Sequence, residues 1–155
     1  MPINTLKKYL NENDAKYVTI QHSSAFTAQE IAESAHISGK ELAKVVIVNI
    51  DGELAMVVLP ASENVDCGMV SQVADGATVL IAEEDEFSSR FPDCEIGAMP
   101  PFGNLYGMKI YLSPMLAEDA EISFNAGSHT ELIKLKYSDF ERLAKEAIIE
   151  LPASF

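Results

Sequence analysis

The chain has 155 residues, of which 48% are hydrophobic and 23% charged, a composition that allows one globular domain to bury a core without disulfides. Its 24 acidic and 11 basic residues give a formal net charge of −13, which disfavours sequence-independent binding of nucleic acid. The apolar runs are too short to span a membrane, and the N-terminus does not have the order of a signal peptide. We therefore expect a cytoplasmic domain over residues 1–155, with no membrane or DNA partner and only local contact with any nucleic acid.

The first half of the chain predicts two helices, a strand and a hairpin. Apolar residues at helical spacing predict a short N-terminal helix, and alternation predicts a strand over 16–22. The capping box Thr27–Glu30 predicts the start of a second helix. The apolar runs within 42–60 flank Asp51–Gly52, a two-residue turn that predicts a hairpin whose strands are covered on both faces.

The second half predicts four strands and three helices. Asp66 is expected to cap a helix that ends near residue 74, the acidic segment 83–91 predicts a short solvated helix, and Ser138–Glu141 resembles a capping box for a last helix. The strands are expected over 77–82, 109–112, 121–124 and 131–136. Six to seven strands without strict βαβ alternation predict an α+β (mixed α/β) fold with a barrel-like sheet surrounded by helices.

Residues 97–106, Gly-Ala-Met-Pro-Pro-Phe-Gly-Asn-Leu-Tyr, form a segment that fits neither a helix nor a strand. Its two prolines fix φ angles, while Gly97 and Gly103 allow backbone to approach a ligand closely. Such a rigid, partly apolar loop is either the wall of a small-molecule pocket or a buried connection between core elements.

Lys44 stands between Ala43 and Val45, at the head of the first hairpin strand, where an apolar residue is usual. It is either an edge residue whose stem reaches water or a charge directed into a pocket. Because free lysine has a pKa of roughly 10.4, Lys44 is expected to hold an anion as a cation and not to act as a general base.

The segment 125–130, Asn-Ala-Gly-Ser-His-Thr, places an amide, two hydroxyls and an imidazole around a glycine. A hairpin connection would use similar residues, and His129 could be structural or functional. No motif for a metal or a covalent nucleophile accompanies it, and Cys67 and Cys94 are expected to be reduced thiols. Any catalysis is therefore expected to work by positioning and electrostatics, without metal or cofactor.

Taken together, three segments resemble the YbaK/EbsC family, the freestanding relatives of the editing domain of bacterial prolyl-tRNA synthetase. They are Lys44 leading a Val/Ile strand, the loop from Gly97 to Gly103, and the segment from Phe124 to Glu131. The likeness runs from about Thr27 to Phe140.

This resemblance implies a trans-editing aminoacyl-tRNA deacylase, a hydrolase without a metal that removes a wrong amino acid from the 3′ end of a tRNA. A small residue such as Ala, Cys or Ser, on tRNA-Pro or a related tRNA, is the expected substrate, and an aminoacyl-tRNA synthetase or an elongation factor could deliver it. A non-catalytic module that binds aminoacyl-adenosine or the tRNA 3′ end is the alternative.

The family lysine corresponds to Lys44, which is expected to be catalytic, whereas Val45 stands where members commonly have Thr and bears on substrate choice. The expected substrate-binding residues, taken from the family loops and from the central segment itself, are Gly97, Pro101, Phe102, Gly103, Gly127, Ser128 and His129.

Overall fold

The computed structural model describes residues 2–21, 41–92, 94–95, 97–118, 120–128 and 130–152. The predicted capping box Thr27–Glu30, the helix after it and His129 lie outside these residues. The helices are α1 (Pro2–Glu12), α2 (Cys67–Val73), α3 (Glu84–Phe87) and α4 (Tyr137–Ala144). The strands are β1 (Tyr17–Gln21), β2 (Leu42–Ile50), β3 (Glu53–Pro60), β4 (Val79–Ile81), β5 (Ile110–Leu112), β6 (Glu121–Ser128), β7 (Glu131–Lys136) and β8 (Ile148–Glu150).

The strands form one mixed sheet in the order β1-β7-β6-β2-β3-β5-β8, with β4 paired to the far end of β2. The pairs β2–β6, β3–β5 and β5–β8 are parallel, and the other pairs are antiparallel. This sheet confirms the predicted mixed α/β fold class. Strand β8 adds an eighth strand that no sequence pattern predicted, because a three-residue strand is too short to show alternation.

The hairpin and the helix caps of the middle of the chain follow from local chemistry. Asp51 and Gly52 both have positive φ, 49° and 94°, as the predicted two-residue turn between β2 and β3 requires. The Asp66 side chain accepts a hydrogen bond from the Met69 N–H at 3.1 Å and caps α2 as predicted. The acids of 83–86 are exposed, which confirms a solvated face.

Two predicted boundaries are wrong. Strand β6 continues to Ser128 through residues predicted as a connection, and Glu95 and Ala98 of the central region form backbone hydrogen bonds with Gly127 there. Helix α4 begins at Tyr137, with Lys136 as its N-cap and no side-chain cap, so Ser138 does not form the predicted capping box. Strand β7 runs directly into this helix, and burial of Tyr137 fixes its start.

Alternation along β2 and β3 separates two apolar clusters, one on each side of the sheet. Ala43 and Ile47 face the larger cluster, which contains Phe102, Phe124 and Phe140. Val48, on the opposite face of β2, belongs to the smaller cluster, which also contains residues of α2. The prediction that the hairpin strands are covered on both faces is confirmed. No helix in the described part of the chain is long and apolar enough to cross a membrane.

Candidate active site

The candidate site lies where β2 and β6 run side by side in parallel. The register of these strands pairs Leu42 with Ser123 and Ala43 with Phe124. One residue further along each strand stand Lys44 and Asn125. Because neighbours in register share a face of the sheet, Ser123, Lys44 and Asn125 are on the face opposite the larger apolar cluster. Two segments that are far apart in the chain are thus brought together.

Lys44 is half-buried on this face, and its cross-strand partner in β3 is Leu59. Burial lowers the pKa of its ammonium group below the ordinary value, and the carboxylate of Glu63 partly opposes this shift. Among the ion pairs of the described residues, none includes Lys44. The side chain therefore presents a partly desolvated cation that is available to an anion or a developing oxyanion.

Ser123 and Asn125 are buried polar residues of β6; the sequence pointed to Asn125 only as the amide of the segment 125–130 and did not point to Ser123. They are 0% and 8% exposed, and neither the Ser123 Oγ nor the Asn125 Oδ1 has a hydrogen-bond partner. Leaving such an atom unpaired costs about 1–3 kcal/mol, which makes it unusual in a structural strand. The alternation Ile-Ser-Phe-Asn gave a weak signal, since it is also typical of a strand with one face in water.

Gly127 joins the two predicted loops. It has a φ of 94° in an irregularity of the β6–β7 pairing between Asn125 and Ser128. The Gly127 N–H donates to the Ala98 carbonyl at 2.9 Å, and the Glu95 N–H donates to the Gly127 carbonyl at 2.9 Å. The structure thus brings the central segment against the end of β6, one strand away from Lys44. It also means that the Gly127 amide is already bonded within the protein.

The central segment is divided between the two roles considered for it. Gly97, at its start, is exposed with a φ of 87°, and among the described residues its N–H donates to the Met99 sulfur, a weak acceptor, at 3.2 Å. Residues 98–103, including Pro101, are buried. The exposed start is therefore a part of the segment that a ligand could reach, while residues 98–103 are a buried connection.

Phe102 and Gly103 lie in the core, which differs from their expected place in a substrate pocket. Phe102 is 0% exposed, and its ring is edge-on to the rings of Tyr9, Phe124 and Phe140. The distances between the ring centroids are 5.9, 5.7 and 5.4 Å, respectively. A Cβ on Gly103 would come within 2.8 Å of the Met108 carbonyl oxygen. Both residues are therefore explained by packing within the protein.

Ser128 ends β6 and makes a local polar contact. Its Oγ lies 3.0 Å from the Thr130 Oγ1 and accepts a hydrogen bond from the Thr130 N–H at 3.2 Å. These bonds shape the connection to β7. Among the described residues, no group of three or more His, Cys, Asp or Glu side chains could hold a metal ion.

Together, the sheet and its polar face define an α/β domain with a lysine, two buried side-chain oxygens without partners and a glycine-rich loop near one strand junction. The family model described as "Aminoacyl-tRNA editing domain" matches residues 22–143, and the chain belongs to this family. The membership confirms the resemblance found in the sequence and the expectation of an editing hydrolase.

The similarity to other proteins covers nearly the whole chain. The multifunctional Ser/Thr-tRNA deacylase ProXp-y of Escherichia coli strain K12 is 23% identical over 145 residues, which cover 90% of this chain and 86% of the relative. A crystal structure described as a candidate trans-editing enzyme for prolyl tRNA synthetase has a TM-score of 0.80 at 17% identity, with 99% and 98% of the two chains covered. The hypothetical protein APE2540 has a TM-score of 0.82 at 16% identity, with 94% and 97% covered.

Proposed function

We propose that residues 1–155 act as one trans-editing domain that hydrolyses the ester between a wrong amino acid and the terminal adenosine of a tRNA. The observation that carries this proposal is the position of Lys44 beside Asn125 and close to the Gly127 junction. An aminoacyl ester needs a cation for its phosphate or oxyanion and a polar surface for the attacking water. The polar face at the β2–β6 junction offers both kinds of group.

The proposed substrate carries a small amino acid, Ala, Cys or Ser, on tRNA-Pro or a related tRNA. The similarity to a Ser/Thr-tRNA deacylase supports serine, and the neighbour described as acting for prolyl tRNA synthetase supports tRNA-Pro. A net charge of −13 favours contact with the tRNA at its 3′ end only. A synthetase or an elongation factor is the proposed source of the remaining tRNA contacts.

In the proposed reaction, a water oxygen adds to the ester carbonyl carbon, and the Lys44 ammonium stabilises the negative charge that develops on the carbonyl oxygen. The bond to the ribose oxygen then breaks, and a proton that comes from the water ends on that oxygen. The products are the free amino acid and a tRNA with an intact terminal hydroxyl. Gly97 is the proposed backbone element beside the ester, since the Gly127 amide is bonded to Ala98.

The test is single-turnover deacylation of an aminoacyl-tRNA panel by the wild type, Lys44→Ala and Lys109→Ala. Removal of a preorganised donor costs on the order of 10²–10³ in rate, so Lys44→Ala should lose about that much. Lys109 is exposed and lies away from the β2–β6 junction, so its variant controls for the loss of one positive charge. Equal rates for the wild type and Lys44→Ala would contradict the assignment, and binding without turnover by the wild type would favour a non-catalytic module.

A further inference from the structure

A cavity of about 160 Å³ lies on the same side of the sheet as Lys44, at the end of β3. Its apolar wall includes Val57 and Leu59 from β3, Met69 from α2 and Leu151 from the C-terminal segment, and Glu63 is among its polar members. Leu59 is the cross-strand partner of Lys44, so the cavity begins one strand away from the proposed catalytic cation. Neither the family motifs nor the predicted loops contribute to it.

The turn after β3 holds Glu63 close to the start of β2. The Ala61 N–H donates to the Leu42 carbonyl at 2.7 Å, and the Glu63 N–H donates to the Pro60 carbonyl at 2.9 Å. The chain therefore folds back beside Leu42, two residues before Lys44. In agreement with this geometry, the Glu63 carboxylate raises the pKa of Lys44 against the effect of burial.

Glu63 differs from Asp66, the other carboxylate of the cavity, because its charge acts on Lys44 without a hydrogen bond or ion pair among the described residues. Asp66 accepts the Met69 N–H and serves as the N-cap of α2. Among the described residues, no ion pair or side-chain hydrogen bond includes Glu63, which is only partly exposed. A partly buried carboxylate at the rim of an apolar cavity is suited to a cationic group attached to a small apolar or hydroxyl-bearing side chain.

We propose that this cavity receives the aminoacyl group of the substrate and that Glu63 accepts hydrogen bonds from its α-ammonium group. The inference rests on the proposed function, because the aminoacyl ester of that reaction places an ammonium group next to the carbonyl that Lys44 is proposed to stabilise. The volume holds several water molecules, which suits an ammonium group and a side chain of a few heavy atoms. Glu63 is therefore a substrate-binding residue that distinguishes an aminoacyl ester from an N-blocked ester.

The experiment compares wild type, Glu63→Gln and Glu84→Gln on seryl-tRNA and on N-acetylseryl-tRNA, with thermal unfolding of each variant measured alongside. Loss of a hydrogen bond to a charged group predicts that Glu63→Gln lowers kcat/KM for seryl-tRNA by about 10- to 100-fold. The same variant should change kcat/KM for N-acetylseryl-tRNA less than about 3-fold, because acetylation has already removed the ammonium group. Glu84 is an exposed acid of α3, so its variant controls for net charge and should match the wild type on both substrates.

A second measurement separates this inference from the proposed function. Binding of 3′-serylamido-3′-deoxyadenosine, which is not hydrolysed at its amide, is measured against its N-acetyl derivative. One outcome is that the wild type hydrolyses no member of the panel but binds the free amine better than the N-acetyl derivative, and that Glu63→Gln has lost this preference. The deacylase proposal then fails and the cavity assignment stands. If Glu63→Gln keeps the wild-type preference for the free amine in both assays, the cavity assignment is overturned.

Discussion

At the β2–β6 junction, the two faces of the sheet are built from different kinds of residue. On one face, Phe124 packs edge-on against Phe102 within a cluster of apolar side chains. On the other face, Lys44 is a partly desolvated cation, and Ser123 and Asn125 have buried oxygens without partners. The first face has its interactions completed within the protein. The second leaves two buried oxygens without partners, and this difference is the reason why the proposed site is placed on it.

The comparison also explains why adjacent residues of one strand have opposite roles. Phe124 and Asn125 are neighbours in β6, and strand alternation sends their side chains to opposite faces. Closely packed aromatic rings on one face fix the position of the backbone, and the backbone in turn fixes the polar groups on the other. A rigid strand positions such groups more precisely than a loop does.

The largest expected effect comes from breaking the apolar face with Phe102→Ala. Truncation of a fully buried phenylalanine that contacts three other rings should lower the free energy of unfolding by about 3–5 kcal/mol. Urea denaturation measures this loss, and Phe102→Leu, which retains most of the volume, should lose less. A variant with wild-type stability and impaired kcat/KM would instead return Phe102 to the substrate-binding role expected from the sequence.

A smaller effect is expected from Gly97→Val, which tests the loop beside the polar face. The φ of 87° disfavours valine, and the relaxed loop would shift residues that bond to Gly127. We expect kcat to fall at least about 10-fold if Gly97 lies beside the ester. The melting temperature should fall by only a few degrees, because the residue is exposed.

Gly76→Val is the matched control for that variant. Gly76 has a φ of 79° in a turn that follows α2, and a Cβ added there would meet no atom within 4 Å. The same substitution there should cost similar stability and leave deacylation unchanged. Equal losses of kcat in the two variants would mean that the effect of Gly97→Val is a general consequence of backbone strain.

Local chemistry explains which parts of this fold could be predicted. Asp51–Gly52 and Asp66 act on backbone groups within a few residues, so the sequence is sufficient to place the turn and the cap. Glu63, in contrast, reaches the vicinity of Lys44 only through a hydrogen bond between Ala61 and Leu42. That contact depends on the pairing of whole strands, which periodicity does not reveal.

The buried polar atoms of β6 show a second limit. A strand in which Ser123 and Asn125 alternate with apolar residues predicts one face in water, and no local signal shows that this face is covered. Lys44 and the glycine segments could be found in the sequence because each is unusual where it stands. That Lys44 and Asn125 share a face became evident only from the parallel pairing of β2 with β6.

The smallest expected effect concerns stability, and it tests whether the cation of the polar face is a cost to the fold. Burial lowers the pKa of Lys44 in the folded protein, so the charged form is less favourable there than in the unfolded chain. This cost is fully present below the folded pKa and disappears as the pH rises through that value towards the unfolded pKa of roughly 10.4. Lys44→Met should therefore be at least as stable as the wild type at neutral pH, and its advantage should shrink as the pH approaches 10. Urea denaturation at both pH values measures the change, with Lys109→Met as the exposed control whose effect should be small throughout. If Lys44→Met were markedly less stable than the wild type at neutral pH, Lys44 would be a structural residue and the contrast between the two faces would not hold.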